Sequence, residues 1–330
     1  MLKKTTILLA IFLVGLLAIT ASSAADNTTD ASMAQDTTEI EMMNYEPADE
    51  ILAAEDTPML KAKEINVTGN SFKDIQNAIL RADDGGTVYL DGITYFGDGN
   101  EIIVIKSINL IGKTGTVLDA QKKSRILYIQ HDDVVLKDIT FINGNTNDFG
   151  GAIFWDSSNA HILNCSFENN TATLGGANNF DKALTNSTIN GNYNHNTADQ
   201  GGANTFYGTL TNTTITGNYN HNTAEYGGGA NHFEKALTNT TITATFINNR
   251  GSNTVYIQES DQSNIIKDSI FINNTGNNIR VKNGNIQVTN CWFGNTASNY
   301  NTDMTNSQGI TTDNWYFLDI TLNDTNATVS

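Results

Sequence analysis

The clearest pattern along the chain is a recurrence of single aromatic residues among polar ones. Phe141, Phe167, Tyr193, Tyr219, Phe246, Phe271 and Phe293 follow one another at intervals of 26, 26, 26, 27, 25 and 22 residues. Two positions before each stands a small or apolar residue, namely Ile139, Cys165, Gly191, Gly217, Ala244, Ser269 and Cys291, as an inward site beside a ring requires. Three positions before stand Asp138, Asn164, Asn190, Thr216, Thr243, Asp268 and Asn290, and two positions after stand Asn143, Asn169, His195, His221, Asn248, Asn273 and Asn295. Both of these columns read as turns, because Asn and Asp tolerate left-handed backbone and hydrogen-bond locally, while stacked amides can also bond from unit to unit. A unit of this size cannot bury its own apolar face and must stack on its neighbours.

A second signature runs beside the first. Gly150-Gly151-Ala152, Gly175-Gly176-Ala177, Gly201-Gly202-Ala203 and Gly228-Gly229-Ala230 each precede a further aromatic, Trp155, Phe180, Phe206 or Phe233, so these coils carry two rings. One register is open: Thr185-Asn186, Thr211-Asn212 and Thr238-Asn239 can also be matched to Leu163-Asn164, and the aromatic register is preferred because it needs the fewest gaps. Apolar runs are short, as in Ile126-Leu127-Tyr128-Ile129 and Val134-Val135-Leu136. A unit of this length holds three short strands and three turns better than a strand plus a helix. The pattern predicts an all-β parallel β-helix of about nine coils, roughly 40 Å long at ~4.8 Å per rung.

The pattern changes outside the repeats. Lys3 and Lys4, the apolar run Ile7 to Ile19 and small residues Ala21 to Ala25 read as a signal peptide over 1–25; the run is short for a membrane span, so export with cleavage is expected, with an uncleaved tether as the alternative. From Asp26 to Leu60 there are ten acidic residues and no basic one, so 26–61 reads as a solvated, disordered leader. Residues 62–312 form the expected β-helix. At its start, 71–82 reads as an amphipathic helix with a capping-box pair Ser71 and Asp74, apolar Phe72, Ile75, Ile79 and Ala82, and a stop at Asp83-Asp84-Gly85-Gly86. Such a helix would cover the open end of the first coil, whose strand edges otherwise invite association. In 313–330, Tyr316, Leu318, Ile320 and Leu322 alternate like one strand before a polar tail, where a further domain would begin.

Composition agrees with the repeat. The only prolines, Pro47 and Pro58, precede it, as expected where every coil donates to the next. Cys165 and Cys291 share one column five coils apart, roughly 24 Å by rung spacing, whereas bridged Cα atoms lie at most ~7 Å apart. They are expected to be buried free thiols.

Several of these residues together resemble a known class. The helix-capped start Ile65 to Leu90, the rungs Ile139-Thr140-Phe141 and Cys165-Ser166-Phe167-Glu168-Asn169-Asn170, the Gly-Gly-Ala turns and Cys291-Trp292-Phe293-Gly294 are similar to archaeal adhesin-like, Asn/Thr-rich surface proteins. The resemblance spans about 62 to 322, and the pairing of Gly-Gly-Ala with Phe-x-Asn is also similar to repeats of bacterial polymorphic outer-membrane proteins. It implies a right-handed, single-stranded, pectin-lyase-like β-helix and a surface-displayed adhesion or cell-wall role. In larger members of the class, immunoglobulin-like repeats follow the β-helix.

The same fold carries polysaccharide lyases and glycosidases, so an enzyme is the rival expectation. A lyase acting on polyuronate needs cations, and between Ile142 and Gln258 the chain offers Lys182, Lys235 and Arg250 alone. A glycosidase needs two carboxylates; Asp156 and Asp181 would stack one coil apart, with Tyr207 and Glu234 at the same place in the next coils. Their blander reading is solvated turn residues, with calcium as a further use. His195 and His221, one coil apart, lack further metal ligands by spacing and are expected to replace turn amides. Asp199 and Glu225 are expected to be solvated. No catalytic, cofactor-binding or metal residue is assigned, and no cofactor is expected.

Ten Asn-x-Ser/Thr sequons, at Asn27, Asn66, Asn164, Asn169, Asn186, Asn212, Asn239, Asn273, Asn323 and Asn326, would be available for glycosylation after export. The net charge of −17 becomes −19 when Lys3 and Lys4 leave with the signal, which opposes nucleic acid and anionic membrane as partners. The expectation is an extracellular or cell-surface protein without catalysis, whose polar face meets a glycan, a cell-wall polymer or a surface protein through many weak contacts.

Overall fold

Short apolar runs separated by left-handed turns close back on themselves once per period, and in the computed structural model they build a parallel β-solenoid of about nine turns. The structure describes residues 62–294 and, as backbone, the strands Met304–Thr305, Ile310–Tyr316, Ile320–Asn323 and Asn326–Val329. The signal (1–25) and leader (26–61) lie outside the described residues, as do Asn295 and the sequon at Asn27. The second sheet stacks Ile102–Val104, Leu127–Ile129, Ile153–Trp155, Asn178–Phe180, Asn204–Phe206, Gly228–Thr238, Asn253–Ser260, Asn277–Gly284 and Met304–Thr305 in that order. The first sheet carries the rungs that include His161–Glu168, Thr188–Asn194, Thr214–Asn220, Thr241–Ile247 and Ile286–Phe293, and Ile310–Tyr316 adds one more.

The aromatic register holds. Phe167 pairs with Tyr193, Tyr193 with Tyr219 and Tyr219 with Phe246 in parallel ladders. The column from Phe141 to Phe293 is an unbroken internal stack with ring centroids 4.7 to 5.0 Å apart. The second column, Phe180, Phe206 and Phe233, stacks at 4.8 and 4.6 Å, with Trp155 tilted at 6.0 Å on its end. Each buried ring contributes about 1.5–3 kcal/mol by transfer, and each offset pair roughly 0.5–1.5 kcal/mol more. These two stacks carry a core whose middle coils are poor in large aliphatics.

The turn column after the aromatic is left-handed throughout: Asn143, Asn169, His195, His221, Asn248 and Asn273 have φ of 56, 55, 54, 55, 55 and 52°. The column before it requires a correction. Asp138, Asn164, Asp268 and Asn290 are left-handed, but Asn190, Thr216 and Thr243 sit in mid-strand. The reason lies in spacing. From buried aliphatic to small inward residue the interval is three at Ile162/Cys165 and Ile266/Ser269, and two at Ile189/Gly191, Ile215/Gly217 and Ile242/Ala244. Side chains alternate faces with period two, so an interval of three keeps both residues inward only if one residue between them leaves the strand conformation. Asn186, Asn212 and Asn239 form a separate turn column with Asn159 and Asp133, in which Asn159 bonds to Asp133 at 3.1 Å, Asn212 to Asn186 at 3.2 Å and Asn239 to Asn212 at 2.7 Å.

The helix α1 (Phe72–Arg81) has Ser71 as N-cap with a complete capping box to Asp74, and buries Phe72, Ile75, Ala78 and Ile79. The chain passes from it directly into the strand Ala82–Leu90, so Asp83 to Gly86 lie in a strand. Gln76 extends its amide to the first rung of the second sheet: its Nε2 donates to Ile103 O at 3.0 Å and its Oε1 accepts from Ile103 N at 2.7 Å. Lys106 Nζ donates to the carbonyls of Leu80 and Ala82 at the C-terminus of α1. The alternation expected as one strand after Trp315 is divided: Ile310–Tyr316 is a parallel rung, while Ile320–Asn323 pairs antiparallel with Asn326–Val329.

Candidate functional site

The three strands without a non-glycine left-handed residue, Thr188–Asn194, Thr214–Asn220 and Thr241–Ile247, pair residue for residue across all seven positions, with Gly217 at φ 149° in the middle one. Alternate residues point inward (Ile189, Ile215 and Ile242, then Tyr193, Tyr219 and Phe246), so the others form an outer face. That face reads Thr188, Asn190, Asn192, Asn194 on one rung, Thr214, Thr216, Asn218, Asn220 on the next, and Thr241, Thr243, Thr245, Ile247 on the third. It contains no charged residue. Rung-to-rung bonds join Asn190 Nδ2 to Thr216 Oγ1 and Asn218 Nδ2 to Asn192 Oδ1, each at 2.8 Å. Toward the N-terminus the loop Gly112 to Thr116, with Asp138, Thr140, Asn164 and Ser166, bounds an open concavity of about 600 Å³. Ser166 is the register partner of Asn192, so this concavity opens onto the face.

A buried polar spine holds the face in place. Asn170, Asn196, Asn222 and Asn249 are fully buried three residues after the stacked aromatics. Each Nδ2 donates to an aromatic carbonyl of the preceding coil, Asn196 to Phe167 O at 3.0 Å for example, and to the Oδ1 of the next Asn, where Asn274 ends the series. A second internal ladder runs from Asn178 to Asn204 to Asn231 at 3.0 Å per step. Asn204 Nδ2 also donates to Tyr219 Oη at 3.4 Å. Burial pushes the phenols of Tyr193 and Tyr219 well above the ordinary tyrosine range. Sequence reasoning missed both ladders. The signal was present in the Asn three positions after the rings from Phe167 to Phe271 and two positions before Phe180, Phe206 and Phe233, but Asn alone reads equally as a turn residue.

The glycine turns shield the opposite sheet. The second glycine of each pair has no room for a Cβ, which at Gly151, Gly176 and Gly202 would meet the carbonyl of Gly176, Gly202 or Gly229 on the following rung and at Gly229 that of Arg250. Under these turns Asn179, Thr205 and His232 of the second sheet are buried although they point outward. His232 Nε2 lies 2.7 Å from Glu234 Oε2 and its ring stacks on Tyr256 at 4.7 Å. Burial lowers the His232 pKa, and Glu234 opposes part of that shift.

The remaining candidates fall elsewhere. Asp156 and Asp181 follow the paired residues Trp155 and Phe180, so they do lie on adjacent rungs. Lys182 Nζ sits 3.0 Å from Asp156 Oδ1 and 3.0 Å from Asp181 Oδ2, and Tyr128 Oη donates to Asp156 Oδ2 at 3.2 Å. The hydrogen bonds to Asp181 and then Asp156 hold the Lys182 ammonium well above the usual lysine range. An ammonium thus joins the two carboxylates that a glycosidase would place on either side of a substrate bond. Tyr207, next in the same column, is 46% exposed.

His195 and His221 stack face to face at 4.8 Å and 9°, and Asn248 Nδ2 lies 3.1 Å from His221 Nε2. They occupy the left-handed turn ladder, in the positions Asn holds elsewhere. No group of three or more His, Cys, Asp or Glu side chains that could hold a metal occurs among the described residues. Asp199 and Glu225 are exposed on the paired strands Thr197–Gln200 and Thr223–Tyr226. Cys165 and Cys291 are free and buried, with burial pushing the thiols up to about 12 and about 11. The sequon asparagines Asn66, Asn164, Asn169, Asn186, Asn212, Asn239 and Asn273 are all exposed.

No protein-family model matches this chain, and comparison with the curated proteins and with the solved structures returns no match either.

Proposed function

We propose that this is an exported, adhesin-like cell-surface protein that binds without catalysis, through its repetitive polar face, to a glycan, a cell-wall polymer or a surface protein. The observation that carries the reading is the outer face of Thr188–Asn194, Thr214–Asn220 and Thr241–Ile247: uncharged, built of amides and hydroxyls except at Ile247, and repeated rung on rung. Such a face has many equivalent weak contacts, and affinity then comes from repetition. The basic, apolar and small-residue order of 1–25 supports export, either released or tethered by the N-terminal segment. The resemblance of the rungs and Gly-Gly-Ala turns to archaeal adhesin-like β-helix proteins points the same way. Exposed sequons make glycosylation of the exported chain part of this reading.

The adjacency of Asp156 and Asp181 favours a second reading, a polysaccharide-degrading enzyme on the same fold. One experiment separates the two. The full chain is incubated with labelled cell-surface polysaccharides and surface proteins, and both retention and polymer length are followed. Retention without shortening is expected; shortening that Asp156→Asn or Asp181→Asn abolishes would make the protein an enzyme.

A further inference from the structure

We infer that the ligand of this face is an uncharged, extended polysaccharide lying along the solenoid axis with one sugar residue to each rung. This rests on the reading of the protein as a surface-binding protein and narrows it to one face and one ligand class.

Charge is the first argument. The chain carries a net charge of −17, yet the three strands of the face contain no Asp, Glu, Lys or Arg. A polyuronate, teichoic-type polyphosphate or nucleic acid would meet no cation there and would be repelled by the rest of the molecule. A neutral polymer of hydroxyl groups would meet side chains that both donate and accept. Of the amides on the face, Asn190 and Asn218 each use one N–H in bonding to a neighbouring rung, which leaves each a second donor.

Periodicity is the second. The three strands pair without a register shift, so equivalent groups repeat at the ~4.8 Å spacing of hydrogen-bonded strands. An extended β-linked hexose chain advances by nearly the same distance per residue. A chain laid across the rungs therefore meets Asn192, Asn218 and Thr245, or Asn190, Thr216 and Thr243, at successive sugars. The flanking coils break this rule: left-handed residues at Asn164 and Asp268 interrupt the face on both sides.

Shape is the third. The open concavity lined by Gly112 to Thr116, Asp138, Thr140, Asn164 and Ser166 lies on the N-terminal side of the face, and Ser166 connects it to Asn192. A polymer lying along the axis would cross the three straight rungs with its end over this concavity.

The test uses the full chain and four solids: cellulose, chitin, a neutral mannan and cross-linked polygalacturonate. Two exposed positions of the central rung are changed separately, Thr214→Arg and Asn218→Arg, so that a folding failure in one leaves the other informative. Tyr207→Ala, on a different face, is the comparison. Retention on at least one neutral solid is expected, insensitive to salt because no exposed ion pair is involved. It should weaken roughly tenfold in both arginine variants, equivalent to about 1.4 kcal/mol, and stay unchanged in Tyr207→Ala. Salt-sensitive retention confined to polygalacturonate overturns the inference. So does neutral-polymer binding that survives both arginine substitutions or falls with Tyr207→Ala, although polymer binding itself then stands. Retention of a surface protein with no polysaccharide bound overturns the inference alone, whereas retention of nothing from either class overturns the proposed function as well.

Discussion

The side-chain amide of Asn196 donates to Asn222 Oδ1 at 2.9 Å, while Asn222 Oδ1 also accepts from the Asn196 backbone N–H at 3.1 Å, and both residues are fully buried. One oxygen thus closes a ring with the residue below it, and the same ring recurs at Asn170 with Asn196 and at Asn222 with Asn249. Removing Asn222 takes the acceptor from the Asn196 backbone N–H and from one Asn196 Nδ2–H, and takes a side-chain donor from the Tyr193 carbonyl. Each buried unsatisfied group costs roughly 1–3 kcal/mol. Asn222→Ala should therefore destabilise the solenoid by about 3 kcal/mol or more, read by chemical denaturation, against less than about 0.5 kcal/mol for the exposed Asn218→Ala. Equal effects of the two substitutions would refute the assignment of the spine.

Gly202 has the Gly229 carbonyl of the next rung where its Cβ would be. Gly202→Ala should cost about 1–3 kcal/mol through overpacking of stacked backbones. Gly99→Ala serves as comparison for the role of left-handed φ without crowding, since Gly99 sits at φ 108° with open space around its Cβ position. A melting temperature unchanged in Gly202→Ala would show that the rungs can separate locally.

Cys165 and Cys291 should resist thiol reagents in the native protein. Burial pushes Cys165 up to about 12 and Cys291 to about 11, so neither is a thiolate near pH 8. Mass spectrometry after iodoacetamide treatment is expected to find both unmodified until denaturant is added, with Cys291, the less deeply shielded, modified first. Rapid native labelling of Cys165 would contradict its placement in the core.

His232 predicts a pH dependence of stability. Its folded-state pKa lies below the ordinary imidazole value because burial disfavours the charged ring, an effect that Glu234 reduces. Between that lowered value and about 6.5 the unfolded chain binds more protons than the folded one. The contribution is thus fully present above about pH 6.5 and declines as pH falls through the window below it. His232→Gln should flatten this part of the profile in denaturant titrations from pH 8 to 5; an unchanged slope would exclude His232 as its source.

Much of the fold was legible because stacking forces like residues onto like positions. The ring columns, the small inward column before them, the left-handed column from Asn143 to Asn273 and the Ser71/Asp74 cap all appear as repeats or local signatures. The straight rungs were also encoded, in the change of interval from three at Ile162/Cys165 to two at Ile189/Gly191, but the interval acquires meaning only once both residues are known to point inward. The Lys182 bridge was less accessible. Its reach from Asp181 back to Asp156 depends on the stacking of two coils and on a side-chain direction that residue type does not specify.

By itself the sequence determined the period, the inward columns and the turns that need left-handed backbone, since these follow from side-chain size, alternation and local φ preference. Only the tertiary structure decided which asparagines are turn residues and which form buried spines, and which rungs present an uninterrupted face. The reason is that an amide can be buried only where a partner waits for it. For Asn196 those partners, Phe167 O and Asn222 Oδ1, stand 29 and 26 residues away and come within reach only when the coils stack.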